Sequence, residues 1–157
     1  MTPREFLDQV VRPNISDFHN GYNDFRYAYN AVASVDALAA HIFYWCKLNE
    51  PARVSGQKDD TAYREHLAKA DPNFRLLRDT AKAQKHVQLI NGRPEVSAAK
   101  QMGVRTIAFG QSGFGQGRFG GVVQCILKAD NGDEFYVENI VDGAMNFLEK
   151  IMSEYRI

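Results

Sequence analysis

A fixed cation, a carboxylate and a titratable imidazole lie on neighbouring turns of one segment. It reads Asp71-Pro-Asn-Phe-Arg75-Leu-Leu-Arg78-Asp79-Thr-Ala-Lys82-Ala-Gln-Lys85-His86. RNA cleavage through a 2′-hydroxyl needs groups of this kind, an imidazole for proton transfer and a guanidinium for phosphate charge. Asp71 is placed to cap a helix and Pro72 to occupy its first position, where its missing N–H costs nothing. At 100° per residue, Arg75, Asp79, Lys82 and His86 fall within about 20–40° of one line along that helix. The same stripe also fits a solvated helix face, with Phe74, Leu77, Ala81 and Gln84 or Val87 turned inward.

A second chemical signal is weaker. Gly110 to Gly121 holds six glycines, and Gly115-Gln-Gly117-Arg118-Phe119-Gly120-Gly-Val122 fits the phosphate loop of kinases. Yet 29 residues follow Lys128, and no catalytic-loop or Asp-Phe-Gly motif is present to hold magnesium. No helix follows the glycines, as a dinucleotide site requires. The segment reads as a hairpin tip, with Gly115, Gly117, Arg118 and Phe119 as candidate contacts to a partner or an anion.

The remaining ionisable groups form no recognisable site. His19, His41, His66 and His86 show no HExxH and no close grouping with Cys or Asp, so no metal or other cofactor is expected. His41 reads as a core-edge side chain, with Asp36 five residues before it, and His19 and His66 as surface. Cys46 and Cys125 stand apart without a CxxC and read as buried, reduced thiols.

Nineteen basic residues balance nineteen acidic ones, so any basic footprint must be local. At 157 residues, 45% hydrophobic, residues 1–157 are expected to form one domain with its own core. The first residues lack a signal peptide's apolar run, and no stretch reaches the roughly 18 apolar residues of a membrane span. The expectation is a soluble, cytoplasmic chain.

The elements that must position these groups follow from periodicity. Pro13 is expected to end or kink a first short helix, loosely continued over Ile15 to Tyr22. The longest helix should begin at Asp24 and reach about Leu48, with Phe25, Tyr29, Val32, Val35, Ala39, Ile42, Phe43 and Cys46 on a wide apolar face. A polar loop over Pro51 to Asp60, a short helix over Thr61 to Lys69 and the helix from Asp71 to Leu89 come next. The period changes after Asn91-Gly92-Arg93-Pro94. Val104 to Phe109, Val122 to Ala129 and Glu134 to Glu138 are β-rich, with a hairpin signal at Asn131-Gly132. Ile140 to Tyr155 returns to helix. The fold class is therefore mainly α (α+β): a helical bundle with an antiparallel β-meander, over about 95–138, inserted before the C-terminal helix. Phe25, Tyr29, Val32, Ile42, Leu77, Val87, Leu148 and Ile151 should share one core.

The Arg78-to-His86 segment resembles the HEPN superfamily of helical nucleotide-binding and ribonuclease domains. Their signature is an arginine, a polar residue, then a histidine four to six residues on. Here Asp79 is the polar residue, and seven residues separate Arg78 from His86, one more than the pattern. The resemblance covers about residues 20–90 and the last helix. It implies catalytic roles for Arg78 and His86, electrostatic RNA contacts from Lys82 and Lys85, and a homodimer whose motif helices line one cleft. Two readings follow: a non-enzymatic binding or assembly module, which the long spacing favours, and a metal-independent ribonuclease of toxin or defence type.

Overall fold

The computed structural model describes residues 1–106 and 123–157. The Gly110–Gly121 segment, with Gly115, Gly117, Arg118 and Phe119, therefore lies outside the described residues, as do positions 107–109 of the first expected strand.

Thr2 opens the chain's first helical turn, α1 (Pro3–Phe6), through a reciprocal cap. Its hydroxyl accepts the Glu5 N–H at 3.2 Å, and its own N–H donates to the Glu5 carboxylate at 2.7 Å. The helical path does not stop at Pro13. A π-helical turn (Leu7–Val11) leads directly into α2 (Arg12–Asn20). There the Arg12 N–H reaches back five residues to the Leu7 carbonyl. The widened turn absorbs the bond Pro13 cannot donate and makes room for its ring, so the proline is carried through.

Asp24 caps α3 (Phe25–Asn49) by accepting the Arg26 N–H at 2.8 Å. Val32, Val35, Ala39, Ile42, Phe43 and Cys46 are buried along it, as the periodicity requires. Phe25 is a correction. In the first turn it lies beyond the core's end, 41% exposed, with its ring centroid 6.4 Å from that of Tyr29. A 3-10 turn (Pro51–Val54) buries Val54 beneath the polar loop. Asp59 caps α4 (Asp60–Ala70), and Asp71 caps α5 (Pro72–His86), accepting the Phe74 N–H at 2.8 Å.

After a 3-10 turn (Ala99–Gln101), three antiparallel strands follow among the described residues: β1 (Met102–Thr106), β2 (Val123–Lys128) and β3 (Glu134–Tyr136), in that order in the sheet. Val104 pairs with Cys125, and Leu127 with Phe135. β2 and β3 are joined across Asn131-Gly132 as expected, with Gly132 at φ 95°, a value open to glycine at no steric cost. β3 ends at Tyr136 because Val137 already begins α6 (Val137–Tyr155). Val137, Ile140, Val141, Ala144, Met145, Leu148, Ile151 and Met152 form its buried stripe.

The protein is thus mainly helical, with a small antiparallel meander before its last helix. Side chains of α2 to α6 and of the sheet form one contiguous hydrophobic cluster, and Phe6 of α1 packs against it. Cys46 and Cys125 are both buried free thiols. Among the described residues no helix is long and apolar enough to cross a membrane.

Candidate functional site: the polar stripe of α5 and the loop it anchors

α5 buries Phe74, Leu77 and Ala81 to 1% exposure or less and turns Arg75, Arg78 and Asp79 toward α4 and toward the loop that follows. Glu65 of α4 receives two arginines. Arg75 Nη1 donates to its Oε1 at 2.9 Å, and Arg78 Nε to its Oε2 at 3.4 Å. Burial pulls the Glu65 carboxyl upward, but the two guanidinium charges outweigh it and hold it below the ordinary value. Arg78 also donates from Nη2 to the Thr61 carbonyl at 3.2 Å and is only 4% exposed. Its planar fork is spent inside the scaffold.

Arg75 also reaches the other way, beside Asp79. Arg75 Nε lies 3.0 Å from Asp79 Oδ2, and its Nη2 donates to the Arg93 carbonyl at 2.8 Å. Asp79 Oδ2 accepts the Glu95 N–H at 2.8 Å. Desolvation raises the Asp79 carboxyl above its ordinary value, with the Glu95 amide and Arg75 opposing. Asp130 adds a third tie, its N–H donating to the Glu95 carbonyl at 2.8 Å. The stripe therefore grips the backbone of the segment after α5 at residues 93 and 95.

That segment leaves the helix through an unusual turn. The Gln88 N–H donates to the His86 carbonyl at 2.7 Å, and Val87 between them sits at φ 63°, ψ −44°. This is a γ-turn of the strained hand, uncommon for any residue and more so for a β-branched one. It corrects the expectation that Val87 packs inward: the turn throws its side chain into water, 72% exposed. Ile90 follows at 91% exposure. Across the loop, the Leu89 N–H donates to the Ser97 carbonyl at 2.7 Å and the Ala99 N–H to the Val87 carbonyl at 2.9 Å.

The candidate catalytic pair is not brought together. His86 is exposed in the last turn of α5, about 12 Å along the axis from Arg78 at 1.5 Å per residue. Lys82 is exposed. Lys85 Nζ lies 3.7 Å from Asp36 Oδ2, an oxygen also held by Arg64 Nη1 at 2.6 Å. Asp36 thus belongs to Arg64 and Lys85 rather than to His41.

The other histidines divide. His41 stacks on Phe6 with ring centroids 3.9 Å apart and planes 14° apart, and its burial, aided by the nearby terminal ammonium, lowers its pKa. His66 is exposed, as expected. His19, expected at the surface, is half-buried with Nε2 2.9 Å from Asp142 Oδ1, at one end of an open cleft of about 530 Å3 between α2 and α6. Arg12 and Glu149, 2.9 Å apart, close its other end. Among the described residues, no three or more His, Cys, Asp or Glu side chains group so as to hold a metal ion.

The residues that sequence reasoning missed are Val87 and Ile90. The signal for Val87 was the lack of a glycine where α5 needs a residue of positive φ to end. In comparisons with protein-family models, curated proteins and solved structures, nothing matches this chain.

Proposed function

We propose that this protein is a non-enzymatic binding and assembly module whose contact surface includes the loop from Val87 to Ala99. The observation that carries this reading is the use made of the α5 stripe: Arg75 and Asp79 hold the Arg93 carbonyl and the Glu95 amide, and Arg78 is bound to Glu65 and Thr61. Charges that would be mobile in a phosphate-binding groove instead brace a loop that carries exposed aliphatic side chains. Backbone held in a rarely populated region persists where its surroundings over-determine it, and such places cluster at functional surfaces.

The HEPN resemblance enters this proposal as a scaffold, with two copies pairing through their helical bundles. Static light scattering at working concentration should then give twice the chain mass, and a monomer would remove the pairing. The ribonuclease reading requires Arg78 to leave Glu65 before it can reach a phosphate. The deciding experiment is incubation of the purified protein with mixed RNA in chelator. The expected result is no cleavage. Cleavage that His86→Ala abolishes, in a variant that still folds, would overturn the module reading in favour of a metal-independent ribonuclease.

A further inference from the structure

The edge of the loop beside Val87 and Ile90 carries unpaired backbone groups. Gln88 and Ala98 form the narrow pair of an antiparallel bridge, flanked by the Leu89–Ser97 and Ala99–Val87 hydrogen bonds. In such a pair the groups of both residues point away from the partner strand. Ala98 is satisfied on its outer side by Gln101: its N–H donates to Gln101 Oε1 at 2.6 Å, and its carbonyl accepts the Gln101 N–H at 3.1 Å. Gln88 is not. Its carbonyl and the Ile90 N–H have no hydrogen-bond partner among the described residues. A carbonyl and an N–H two residues apart are what one residue of an added strand pairs with.

The surroundings select the partner's charge. From Lys85 to Gln101 the chain carries Lys85, Arg93 and Lys100 against Glu95, and Lys82 stands one turn earlier on α5; Asp130 also borders the segment through Ser97 and Gln101, and Asp36 engages Lys85. Lys82, His86, Arg93 and Lys100 are exposed, with no ion-pair partner among the described residues. These unpaired cations, Lys82, Arg93 and Lys100, outnumber the two carboxylates at the loop, Glu95 and Asp130.

We infer that the Val87–Ile90 edge binds an extended acidic polypeptide segment by strand addition. The segment's backbone pairs with the Gln88 carbonyl and the Ile90 N–H, its apolar side chains cover Val87 and Ile90, and its carboxylates meet Lys82 and Arg93. The inference rests on the binding-module reading and gives that module its partner's chemistry. A polypeptide fits better than an anionic lipid surface, because open backbone groups ask for a backbone and no aromatic anchor accompanies the two aliphatic side chains. The ties from Arg75, Asp79 and Asp130 fix the facing segment at residues 93–97, and the Leu89–Ser97 and Ala99–Val87 bonds hold the edge to it beforehand, so less ordering entropy is lost on binding.

The test uses the full chain, isotope-labelled, with three probes: a fluorescent ten-residue peptide alternating Glu and Val, its Lys–Val counterpart, and phosphatidylserine vesicles. The Glu–Val peptide should bind about tenfold or more tightly than the Lys–Val peptide, and the Lys82→Glu, Arg93→Glu double variant should lose about the same factor. At saturation the Ile90 amide should exchange with solvent at least about tenfold more slowly, a change that ionic contact alone does not produce. No peptide binding, equal binding of both peptides, binding without Ile90 protection, or binding to vesicles alone would each overturn the inference. Protection of amides elsewhere on the chain would overturn it while leaving the module reading standing. That reading itself is overturned only by RNA cleavage that His86→Ala abolishes.

Discussion

Asp79 holds the backbone of Glu95: its Oδ2 accepts the Glu95 N–H at 2.8 Å while the rest of the residue is 4% exposed. Removing the carboxylate leaves a half-buried amide and the Arg75 guanidinium without their acceptor. Asp79→Ala should destabilise the fold by about 2–3 kcal/mol in a denaturant titration, and exchange at the Glu95 amide should accelerate. Asp79→Asn keeps an acceptor oxygen of similar shape and should cost less than half as much. Equal losses for the two variants would mean that charge, rather than the hydrogen bond to the loop, carries the effect.

The two carboxylates of this network respond oppositely to pH. Glu65 has a folded pKa below its unfolded 4.5, so its stabilisation is present above that value and is lost as pH falls through the folded pKa. Asp79 has a folded pKa above its unfolded 3.8, so its ionisation costs stability as pH rises from there through the raised value. Because the Glu65 side chain is 40% exposed, solvent screening limits its share to about 1 kcal/mol. Glu65→Gln should therefore flatten the loss of stability on acidification below about pH 5, and Asp79→Asn should steepen it. A Glu65→Gln variant as acid-sensitive as the wild type would refute the assignment.

Val87 should be replaceable with profit. At φ 63° a valine is strained by about 1–3 kcal/mol, whereas glycine enters that region freely and forfeits roughly 0.5–1 kcal/mol of unfolded-chain entropy. Its side chain is 72% exposed, so little burial is lost. Val87→Gly should therefore stabilise by about 1 kcal/mol, near 2–4 °C in Tm, and Val87→Ala, which keeps a Cβ, should not. If both variants melt below the wild type, the turn is not strained.

How far the chain could be read in advance follows from how local each signal is. Asp24, Asp71-Pro72 and Asn131-Gly132 act within four residues of themselves, and each structure they announce is present. Arg75 and Asp79 were legible as a line on a helix but not as a loop brace, because Glu65, Arg93 and Glu95 come from outside it. Periodicity carried Val87 onto the core stripe since it cannot see that the helix ends one residue earlier. His19 finds Asp142 at a separation of 123 residues, which no local spacing announces.

Gly143 of α6 lies against the side chain of Asn73 of α5. A Cβ built there would stand 2.4 Å from Asn73 Nδ2 and 3.0 Å from Asn73 Cβ, so rotation of the amide alone does not clear it. In an exposed helix interior Gly→Ala gains about 1 kcal/mol of helix propensity, yet here overpacking should cost more, for a net loss of about 1–2 kcal/mol. Asn73→Gly removes the obstructing side chain. Gly143→Ala made in that background should recover most of the propensity gain, a coupling that a double-mutant cycle reads directly. Additive effects would show that the helices do not meet at this pair.

The two cysteines should be silent until the protein unfolds. Cys46 is fully buried and Cys125 is 2% exposed. Burial raises both thiols, assisted by Glu50 at Cys46 and by Asp24 and Glu138 at Cys125, which is pushed up to about 11. The thiolate is the reactive form, so at pH 7–8 both low thiolate content and lack of access suppress attack on a disulfide reagent. Native protein should label at a rate set by opening of the fold, nearly independent of reagent concentration, and both thiols should react at once in denaturant. Because Cys46 lies in α3 and Cys125 in β2, the two rates also report whether bundle and sheet open together. Equal rates mean one cooperative unit. Faster labelling of Cys125 means that the sheet opens locally while the helices stay closed.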